Sequence, residues 1–466
     1  MIELSVGQLA AIVEGRVVGD PGTHVTAPAA IDSRQVTRGG LFAALQGEHA
    51  DGHDHVGGAA ERGAAVALVT RELPDVAVPL VVVDDVTVAL GRLARHVHDV
   101  LAAVGLTTIA LTGSAGKTST KDLLAHVLEP SGATVAPEGS FNNEWGVPLT
   151  VLRADRTTRF LVVEMGARGL GHIATLCRIA PPDVAGVLNV GTAHVGEFGG
   201  LDLTAQAKGE IVEALRPHGT AVLNLDDDRV RAMASRTEAA VLGFGQAAEA
   251  DVRLASLALD DTGFPALRLA HAGESVDVVL PQLGLHHGAN AAAAVAMAVA
   301  AGAPFVEAAS RLATATPRSP HRMARHVTDD GVVVVDDAYN ANPESMTAAV
   351  DWLAQAAGGR GVAVLGAMLE LGPESAEMHR RVGQLARESG LRSVVAVGEE
   401  AAPIAAGAGD IGVTVADVAE AVEHLRASLR PNDVVLVKAS RGGRLERVVD
   451  ALLGPNRHTA GGPPSP

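Results

Sequence analysis

The sequence is poor in cysteine and in basic side chains. Cys177 is the only cysteine among 466 residues, so the chain cannot form an internal disulfide framework, and a reducing compartment is expected. Lysine and arginine number 37 against 54 aspartates and glutamates, which gives a formal net charge of −17. Because contacts with a nucleic-acid backbone need a basic face, this balance argues against a nucleic-acid partner. An anionic small molecule is still compatible, since it needs only a few local cations.

Long apolar runs are also missing. No segment approaches the roughly 18 uninterrupted apolar residues of a membrane span, and the alanine-rich stretch 291–301 is typical of a core helix. The N-terminal segment carries Glu3 and lacks the basic, apolar and small-residue order of a signal peptide. Hydrophobic residues make up 47% of the chain, which is enough for sizeable cores. We therefore expect a soluble cytoplasmic enzyme, monomeric and not inserted in a membrane, with about three domains of roughly 150 residues each.

A glycine-rich segment at positions 112–118 is the strongest chemical signal. It consists of Thr112, Gly113, Ser114, Ala115, Gly116, Lys117 and Thr118. An apolar run at 107–111 predicts a strand before it, and the apolar spacing over 119–128 predicts a helix after it. Glycines at such a turn let successive backbone N–H groups hold phosphate oxygens at a helix N-terminus. Lys117 would place a charge on a transferred phosphate, and Thr118 would offer a hydroxyl to Mg²⁺.

The strand-turn-helix context favours a phosphate-binding loop over the alternative, an ordinary Gly-Ser turn with a surface lysine. One position departs from the general pattern, because Leu111 stands where the pattern has glycine.

The order of predicted strands and helices indicates an α/β fold of three domains. The predicted parts are a small N-terminal α/β domain (1–104), a central P-loop domain with a mostly parallel sheet (105–316), a C-terminal Rossmann-like doubly wound sheet (317–454) and a disordered tail (455–466). Short alternating apolar runs within 251–280 predict an antiparallel addition to the central sheet. Ser5 is expected to cap a helix over 6–13, and Asp336 to end the first strand of the C-terminal domain.

Polar residues at predicted strand ends are candidates for ligand contacts, because ligands of open α/β sheets bind at the carboxyl ends of strands. Glu164 ends a predicted strand over 160–164, and its carboxylate suits Mg²⁺. His194 follows the next predicted strand, but histidine is an uncommon partner of Mg²⁺, so spacing alone supports it weakly. Lys208 lies on a predicted helix, where a solvated lysine is the simplest interpretation.

Further candidates lie in other loops and in the second half of the chain. His286 and Asn290 are four residues apart near a predicted helix start, so they are expected to share one face, and an Asn amide can pair with the edge of adenine. Lys438 and Arg441 follow a later predicted strand and are suited to hold a carboxylate. The histidine-rich loop 49–55 lacks repeated metal-ligand spacing, which favours a solvated loop over a metal site.

Taken with these motifs, the sequence resembles the Mur ligases of bacterial cell-wall synthesis from Asp32 to about Val449. The family's phosphate loop also lacks the first glycine, so Leu111 is no obstacle. The shared motifs are the loop 112–118, Glu164-Met165-Gly166, Ala193-His194 and Ala207-Lys208-Gly209-Glu210. Segments 336–343, 365–372 and 438–441 resemble the branch of the family that adds D-alanyl-D-alanine to a UDP-N-acetylmuramoyl-tripeptide.

The resemblance implies an ATP-dependent amide ligase of peptidoglycan precursor synthesis. ATP would phosphorylate the tripeptide carboxylate, and the amine of D-alanyl-D-alanine would attack the acyl phosphate, giving UDP-N-acetylmuramoyl-pentapeptide, ADP and phosphate. Two Mg²⁺ ions are implied, of which Thr118 and Glu164 would hold one. His194 and Lys208 would serve the second, with Lys208 carbamylated so that it becomes an oxygen ligand; its small sequence neighbours are expected to leave room for the added group.

The resemblance also assigns binding contacts. The matching positions are Asn290, Arg322 and Asp336 for the nucleotide, Ser33 and Arg34 for the uridine diphosphate, and Asn142 and Asn143 for the path of the nucleotide-linked substrate. Lys438 and Arg441, which are expected to face the same cleft, are candidates for the carboxylate of the dipeptide. Two positions depart from the family, since His287 replaces an Asn and Ala367 replaces an Asp.

Three other functions stay open from the residues alone. Another amide ligase, such as the diamino-acid-adding Mur enzyme or a folate polyglutamate synthetase, would be distinguished by its amine selectivity, which is expected to reside in the C-terminal domain. A switch or motor ATPase would share the loop, but the segment 224–227, which is closest to the guanine-specific Asn-Lys-x-Asp pattern, lacks the lysine. An inactive scaffold is disfavoured because all candidate catalytic residues are present: Lys117, Glu164, His194 and Lys208.

Overall fold

The computed structural model describes residues 1–47, 50–191, 200–316 and 318–454. The strands are β1 (Leu4–Ser5), β2 (Arg16–Val18), β3 (His24–Val25), β4 (Ala29–Ala30), β5 (Leu41–Ala43), β6 (Val66–Val69), β7 (Leu80–Val82), β8 (Thr107–Thr112), β9 (Thr134–Val135), β10 (Phe160–Glu164), β11 (Val184–Val187), β12 (Thr220–Asn224), β13 (Ala240–Gly245), β14 (Val252–Leu259), β15 (Pro265–His271), β16 (Glu274–Val279), β17 (Ala324–Val327), β18 (Val333–Asp337), β19 (Gly361–Leu365), β20 (Ser393–Val397), β21 (Gly412–Val415) and β22 (Val434–Lys438). The described α-helices are Val6–Val13, Val56–Glu61, Val86–Ala102, Lys117–Leu128, Gly146–Val151, His172–Ile179, Leu201–Glu213, Asp228–Ala232, His286–Ala300, Phe305–Arg311, Pro343–Ala357, Ser375–Glu388, Ala402–Ala408, Val418–Ser428 and Glu446–Leu453. Strands and helices alternate along most of the chain, which confirms the predicted α/β class.

The N-terminal stretch forms a five-stranded sheet in the order β2-β7-β6-β5-β4, parallel except for β2. The helix Val6–Val13 begins after Ser5, whose hydroxyl accepts a hydrogen bond from the Gln8 N–H, while the Ser5 N–H donates to the Gln8 side chain. This reciprocal capping confirms the predicted helix and its cap. The helix Val86–Ala102 begins after a second cap, Asp85, and leads toward the central sheet.

A nine-stranded sheet forms the centre of the protein, in the order β16-β15-β14-β13-β12-β11-β8-β10-β9. Every pair from β14 to β9 is parallel, whereas β15 pairs antiparallel with both β14 and β16, so the predicted antiparallel addition is confirmed. Within β8, Ile109 and Leu111 pack into the apolar core on one face and Ala110 into the core on the other. The parallel strands β8, β10 and β11 therefore bring their carboxyl ends to one edge of the sheet.

The C-terminal stretch forms a six-stranded sheet in the order β17-β18-β22-β19-β20-β21. The strands from β18 to β21 are parallel, and β17 runs antiparallel to β18. The prediction that Asp336 ends the first strand of this region is wrong, because β17 precedes β18. The strand β17 has four residues, Ala-Arg-His-Val, at the edge of the sheet, and such a short polar strand leaves no apolar run to detect in the sequence.

In the loop before the helix Val56–Glu61, His53 packs inward, whereas Asp54 and His55 are exposed. His53 is 5% exposed, its Nδ1 lies 2.6 Å from Asp51 Oδ1, and its Nε2 accepts a hydrogen bond from the Thr70 N–H at 3.0 Å. The interpretation of this segment as a solvated loop is therefore wrong for His53. Across the four described ranges, no group of three or more His, Cys, Asp or Glu residues is arranged to hold a metal ion.

Long-range hydrogen bonds connect the three regions. The Trp145 indole N–H donates to Thr87 Oγ1 at 3.1 Å and joins the central region to the helix Val86–Ala102. The Trp352 indole N–H donates to the Gly263 carbonyl at 3.1 Å and joins the C-terminal region to the antiparallel addition. The domain boundaries stay predictions, and the linker residue Pro317 and the predicted tail lie outside the described residues. None of the described helices has both the length and the apolar character needed to span a lipid bilayer.

Candidate active site

The glycine-rich loop lies at the carboxyl end of β8, and the helix Lys117–Leu128 begins directly after it, as predicted. Gly116 has a φ of +80°, a left-handed conformation that favours glycine, and a side chain at this position would collide with Asn290 Oδ1. Asn189, which follows β11, braces the loop. Its Oδ1 accepts a hydrogen bond from the Ala115 N–H at 2.9 Å, and its Nδ2 donates to the Ala115 carbonyl at 3.1 Å. The loop backbone is thus held by the Asn189 side chain, which follows β11.

Lys117 lies at the junction of two neighbouring cavities, of about 400 Å³ and about 440 Å³, and lines both. Its Nζ donates a hydrogen bond to the Gly113 carbonyl at 2.7 Å. Burial lowers the pKa of Lys117, and the negative charge of Glu164 opposes this shift. Asn142 also lines both cavities, so a phosphate in the first and a carboxylate in the second can approach each other beside Lys117.

Thr118 and Glu164 meet next to the loop because the residue pair Glu164–Leu111 aligns β10 with β8. The Thr118 hydroxyl donates to Glu164 Oε2 at 2.9 Å, and the Asn142 amide donates to Glu164 Oε1 at 2.8 Å. Glu164 is 1% exposed, so its carboxylate is held by hydrogen bonds instead of water. The two oxygen-bearing side chains that the sequence predicts as Mg²⁺ ligands are therefore brought together.

The cavity of about 400 Å³ lies between the loop, the helix His286–Ala300 and the C-terminal sheet. The loop residues from Ser114 to Thr118 line it, whereas Thr112 and Gly113 do not. His286 and Asn290 both line it, as expected of residues that share a helix face. The Asn290 side chain is largely buried, and its Nδ2 has no hydrogen-bond partner among the described residues.

From the C-terminal region, Arg322 and Asp337 line the same cavity, while Asp336 does not. Asp336 is buried and accepts a hydrogen bond from His321 Nδ1 at 2.7 Å, and burial raises the pKa of its carboxyl. Successive residues of a strand point to opposite faces, which explains why Asp337 reaches the cavity and Asp336 does not. His287, which departs from the family pattern, is also buried at the cavity wall, and burial lowers its pKa.

The cavity of about 440 Å³ contains Lys208, from the helix Leu201–Glu213. Lys208 is 4% exposed, so its interpretation as a solvated lysine is wrong. Burial, with a further contribution from the charge of Lys117, lowers its pKa to about 7. The guanidinium of Arg236 lies against Gly209, and the expectation that the small neighbours leave room for a group added to the Lys208 amine stays a prediction. His194, the predicted partner of Lys208, lies outside the described residues.

A third cavity, of about 630 Å³, lies beside the helix Val86–Ala102. Two of its three arginines are paired with carboxylates of the same cavity, Arg92 with Glu14 and Arg95 with Asp99. It contains none of the predicted site residues. Lys117, Glu164 and Lys208 instead line the two smaller cavities.

Comparison with known proteins identifies the family. The Mur ligase middle domain matches residues 111–298, the glutamate ligase domain of the Mur ligases matches residues 321–441, and the catalytic domain of the Mur ligase family matches residues 29–98. The chain is 44% identical to the UDP-N-acetylmuramoyl-tripeptide–D-alanyl-D-alanine ligase of Mycobacterium tuberculosis, over 97% of this chain and 98% of the relative. The chain belongs to the Mur ligase family.

Two solved Mur ligases share the fold over nearly the whole chain. MurF from Acinetobacter baumannii superposes with a TM-score of 0.87 at 32% identity, covering 97% of this chain and 99% of the other. MurF from Thermotoga maritima, solved in complex with ADP, superposes with a TM-score of 0.79 at 31% identity, covering 92% and 97%. The chain is thus a MurF-like Mur ligase, and the predicted family is confirmed.

The predicted uridine-diphosphate residues of this Mur ligase do not line the two cavities and lie between β4 and β5 of the N-terminal sheet. Ser33 and Arg34 belong to a short 3₁₀ helix, Ser33–Gln35, in which Asp32 Oδ1 accepts a hydrogen bond from the Arg34 N–H at 2.9 Å. The Arg34 side chain is 81% exposed and makes an ion pair with Asp32 at 2.7 Å. Arg34 is therefore accessible from solvent, and Asp32 orients it.

The other predicted substrate residues have distinct local partners. Asn143 Oδ1 accepts hydrogen bonds from the N–H groups of Trp145 and Gly146, just before and at the start of the helix Gly146–Val151. Lys438 is buried, and its Nζ donates to Asp337 Oδ2 at 2.6 Å and to the Asn340 carbonyl at 2.8 Å. In contrast, Arg441 is exposed, and its guanidinium carbon lies 5.4 Å from the centroid of the Tyr339 ring. Of the two predicted dipeptide anchors, Arg441 has the more accessible charge.

Sequence reasoning missed three residues that shape the site. Asn189 braces the loop, and its place at the carboxyl end of a predicted strand was a usable signal. Ser140 contacts both Thr118 and Arg322, but nothing in its local sequence distinguishes it from an ordinary loop serine. Asp337 reaches the cavity in place of its neighbour, which only the register of β18 decides.

Proposed function

We propose that this Mur ligase joins D-alanyl-D-alanine to a UDP-N-acetylmuramoyl-tripeptide and forms UDP-N-acetylmuramoyl-pentapeptide, ADP and phosphate. The names of the similar proteins support these substrates. The observation that carries the proposal is the position of Lys117 at the junction of two cavities. A phosphoryl donor in one and an acceptor carboxylate in the other would react beside a single cation. A simple ATPase would need only the first cavity.

Each of the three regions would bind a different substrate. We assign the uridine diphosphate to the N-terminal region (1–104), where Arg34 is exposed, and ATP to the central region (105–316), where the loop lies. The C-terminal region (317–454) would bind the dipeptide through Arg441 and contribute Arg322 to the nucleotide cavity. A monomeric state and a cytoplasmic location stay predictions from the sequence.

The oxygen atoms next to the loop fit Mg²⁺. Thr118 Oγ1 and the Glu164 carboxylate would hold one ion, since Mg²⁺ prefers oxygen ligands and usually takes the remaining ones from phosphate and water. This agrees with the lack of a larger ligand cluster in the described ranges. When bound, the ion would neutralise charge on the transferred phosphate. A second ion would need Lys208 as a carbamate, together with His194.

The surroundings of Lys208 support its carbamylation. A lowered pKa leaves a large neutral fraction near neutral pH, and only the neutral amine is a nucleophile. Lys208 Nζ would form a bond to the carbon of CO2, one C–O π bond would break to leave a negative oxygen, and the amine would lose one proton to solvent. The product is an anion beside Lys117, which removes the repulsion between two ammonium groups.

The residues of the chain would then act by positioning. The loop amides and Lys117 would hold the γ-phosphate while the tripeptide carboxylate attacks it and ADP leaves. Asn142, which lines both cavities, would keep Glu164 oriented through its 2.8 Å hydrogen bond. Arg441 would hold the dipeptide so that its amine attacks the acyl phosphate, forms the amide and releases phosphate. Closure of the three regions would keep water from the acyl phosphate.

An amine screen tests this function. The purified enzyme is given ATP, Mg²⁺ and a UDP-N-acetylmuramoyl-tripeptide, with D-alanyl-D-alanine, single amino acids or a diamino acid as the amine. We expect ADP release to depend on both acceptors, and the product mass to correspond to the pentapeptide. Equal ADP release without either acceptor would refute the ligase function, and a product only with a diamino acid or glutamate would assign the chain to another branch.

A further inference from the structure

Arg322 is held in a fixed place by the C-terminal region. The residues on either side of it, His321 and Met323, have φ values of +60° and +53°, in the left-handed region that non-glycine residues rarely adopt. The His321 carbonyl accepts a hydrogen bond from the Tyr339 N–H at 3.2 Å, and the His321 ring is bonded to Asp336. Contacts with the end of β18 therefore maintain a strained backbone on both sides of Arg322, which sets its direction.

From Arg322, a directed series of hydrogen bonds reaches the predicted metal ligands. Its Nη2 donates to Ser140 Oγ at 3.1 Å, and Ser140 Oγ lies 2.9 Å from Thr118 Oγ1. Because the single Thr118 hydroxyl hydrogen is used toward Glu164, Ser140 must donate in its bond with Thr118. Each hydroxyl in the series thus donates once and accepts once, an arrangement in which neighbouring bonds strengthen each other.

On its other side, Arg322 packs on an aromatic ring. Its guanidinium carbon lies 4.2 Å from the centroid of the Tyr339 ring, and that of Arg441 lies 5.4 Å from the same centroid. Both distances are within the range of a cation–π contact, about 6 Å. Tyr339 is the only tyrosine of the chain. One ring therefore supports two arginines, one directed to the phosphate loop and one exposed on the proposed dipeptide side.

We propose that Ser140 and Tyr339 are positioning residues that couple nucleotide binding at the phosphate loop to dipeptide binding at Arg441. The inference rests on the proposed function, because it takes Arg441 as the dipeptide contact. A nucleotide that engages Thr118 fixes the acceptor of the Ser140 hydroxyl, and Ser140 in turn fixes Arg322. Arg322 then holds the ring on which Arg441 packs. The reverse also holds, since coupling between two binding sites is reciprocal.

The test measures this coupling directly by calorimetry. The Kd of a non-hydrolysable ATP analogue is determined with the UDP-N-acetylmuramoyl-tripeptide present, with and without saturating D-alanyl-D-alanine. In the unaltered enzyme, we expect the dipeptide to lower the Kd of the analogue about fivefold or more, so that the ratio of the Kd without dipeptide to the Kd with dipeptide is about five or more. A ratio of this size is in the usual range of allosteric coupling. In Ser140→Ala and in Tyr339→Leu this ratio should fall close to one. Ser140→Thr retains the hydroxyl and Tyr339→Phe retains the aromatic ring, so both variants should have the same ratio as the unaltered enzyme.

A matched control separates coupling from general damage. Ser235→Ala removes a hydroxyl that donates only to the local Ala232 carbonyl in the central region, and it should leave the ratio unchanged. Melting temperatures confirm that each variant is folded. A ratio of one in the unaltered enzyme, an unchanged ratio in Ser140→Ala and Tyr339→Leu, or equal losses in the conservative pair would each overturn the inference. If the unaltered enzyme forms no pentapeptide, the proposed function fails. If it forms the pentapeptide but any of these three results is found, only the coupling inference fails.

Discussion

We predict that Lys208 is carbamylated in the active enzyme. Its side chain is 4% exposed, and burial, followed by the charge of Lys117, lowers its pKa from 10.5 to about 7. At pH 7 about half of these amines would be neutral, against roughly one in 3,000 for a lysine with an ordinary pKa. The fraction able to attack CO2 is thus raised by about 10³ at neutral pH. This increase follows from the buried position of the amine.

The pH dependence follows from the same shift. The protonated amine cannot react, so at a fixed concentration of dissolved CO2 the rate of carbamylation should rise as pH rises toward 7 and level off above it. A lysine with an ordinary pKa would continue to gain rate up to about pH 10. The measurement strips CO2 from the enzyme at low pH and returns it at a series of pH values. Recovery of ADP formation and the signal of a ¹³C-labelled carbamate carbon are followed together.

Substitutions at Lys208 complete this test. Lys208→Ala should be nearly inactive, and a short carboxylate such as acetate in the buffer should restore part of the activity. Lys208→Arg is the matched control, because it keeps a cation but has no amine that can be carbamylated, and it should also be inactive. Full activity of Lys208→Ala, or an unchanged rate after CO2 removal, would refute the reasoning.

Three further predictions each concern one side chain and are tested by steady-state kinetics of the substituted enzyme. Lys117→Ala should lower kcat by about 10²–10³ with an unchanged melting temperature, because it removes one preorganised charge at the transferred phosphate; near-native turnover would show that the loop assignment is wrong. Arg34→Ala should raise the KM for the UDP-linked substrate alone, since its exposed guanidinium is placed by Asp32 to bind a diphosphate; a rise in the KM for ATP would contradict the assignment of the N-terminal region. Arg441→Ala should raise the KM for D-alanyl-D-alanine and leave the KM for the other two substrates unchanged. Arg444→Ala, which removes a nearby exposed arginine, is the control and should leave all three KM values unchanged. An unchanged KM for the dipeptide in Arg441→Ala would show that Arg441 does not bind it.

Features set by neighbouring residues were predictable from the sequence. The capping of the helix Val6–Val13 by Ser5 depends on four consecutive residues, and the structure has it as predicted. The strand, glycine turn and helix around the loop depend on apolar spacing and on Gly116, and these elements are also confirmed. The α/β class and the antiparallel addition follow from the order of such local patterns.

Features set by distant residues needed the tertiary structure. Lys208 looks like a solvated lysine among small residues, and only the packing of its helix buries it and lowers its pKa. The contact of Arg322 with Ser140 joins residues 182 positions apart in the chain. Periodicity within a short window reports which side of an element is apolar, but burial, register and charge contacts arise when separate sheets pack together. Local sequence therefore determined the phosphate-loop motif and the fold class. The protonation of Lys208 and the direction of the Arg322 side chain depend on desolvation and on contacts that only the folded chain creates.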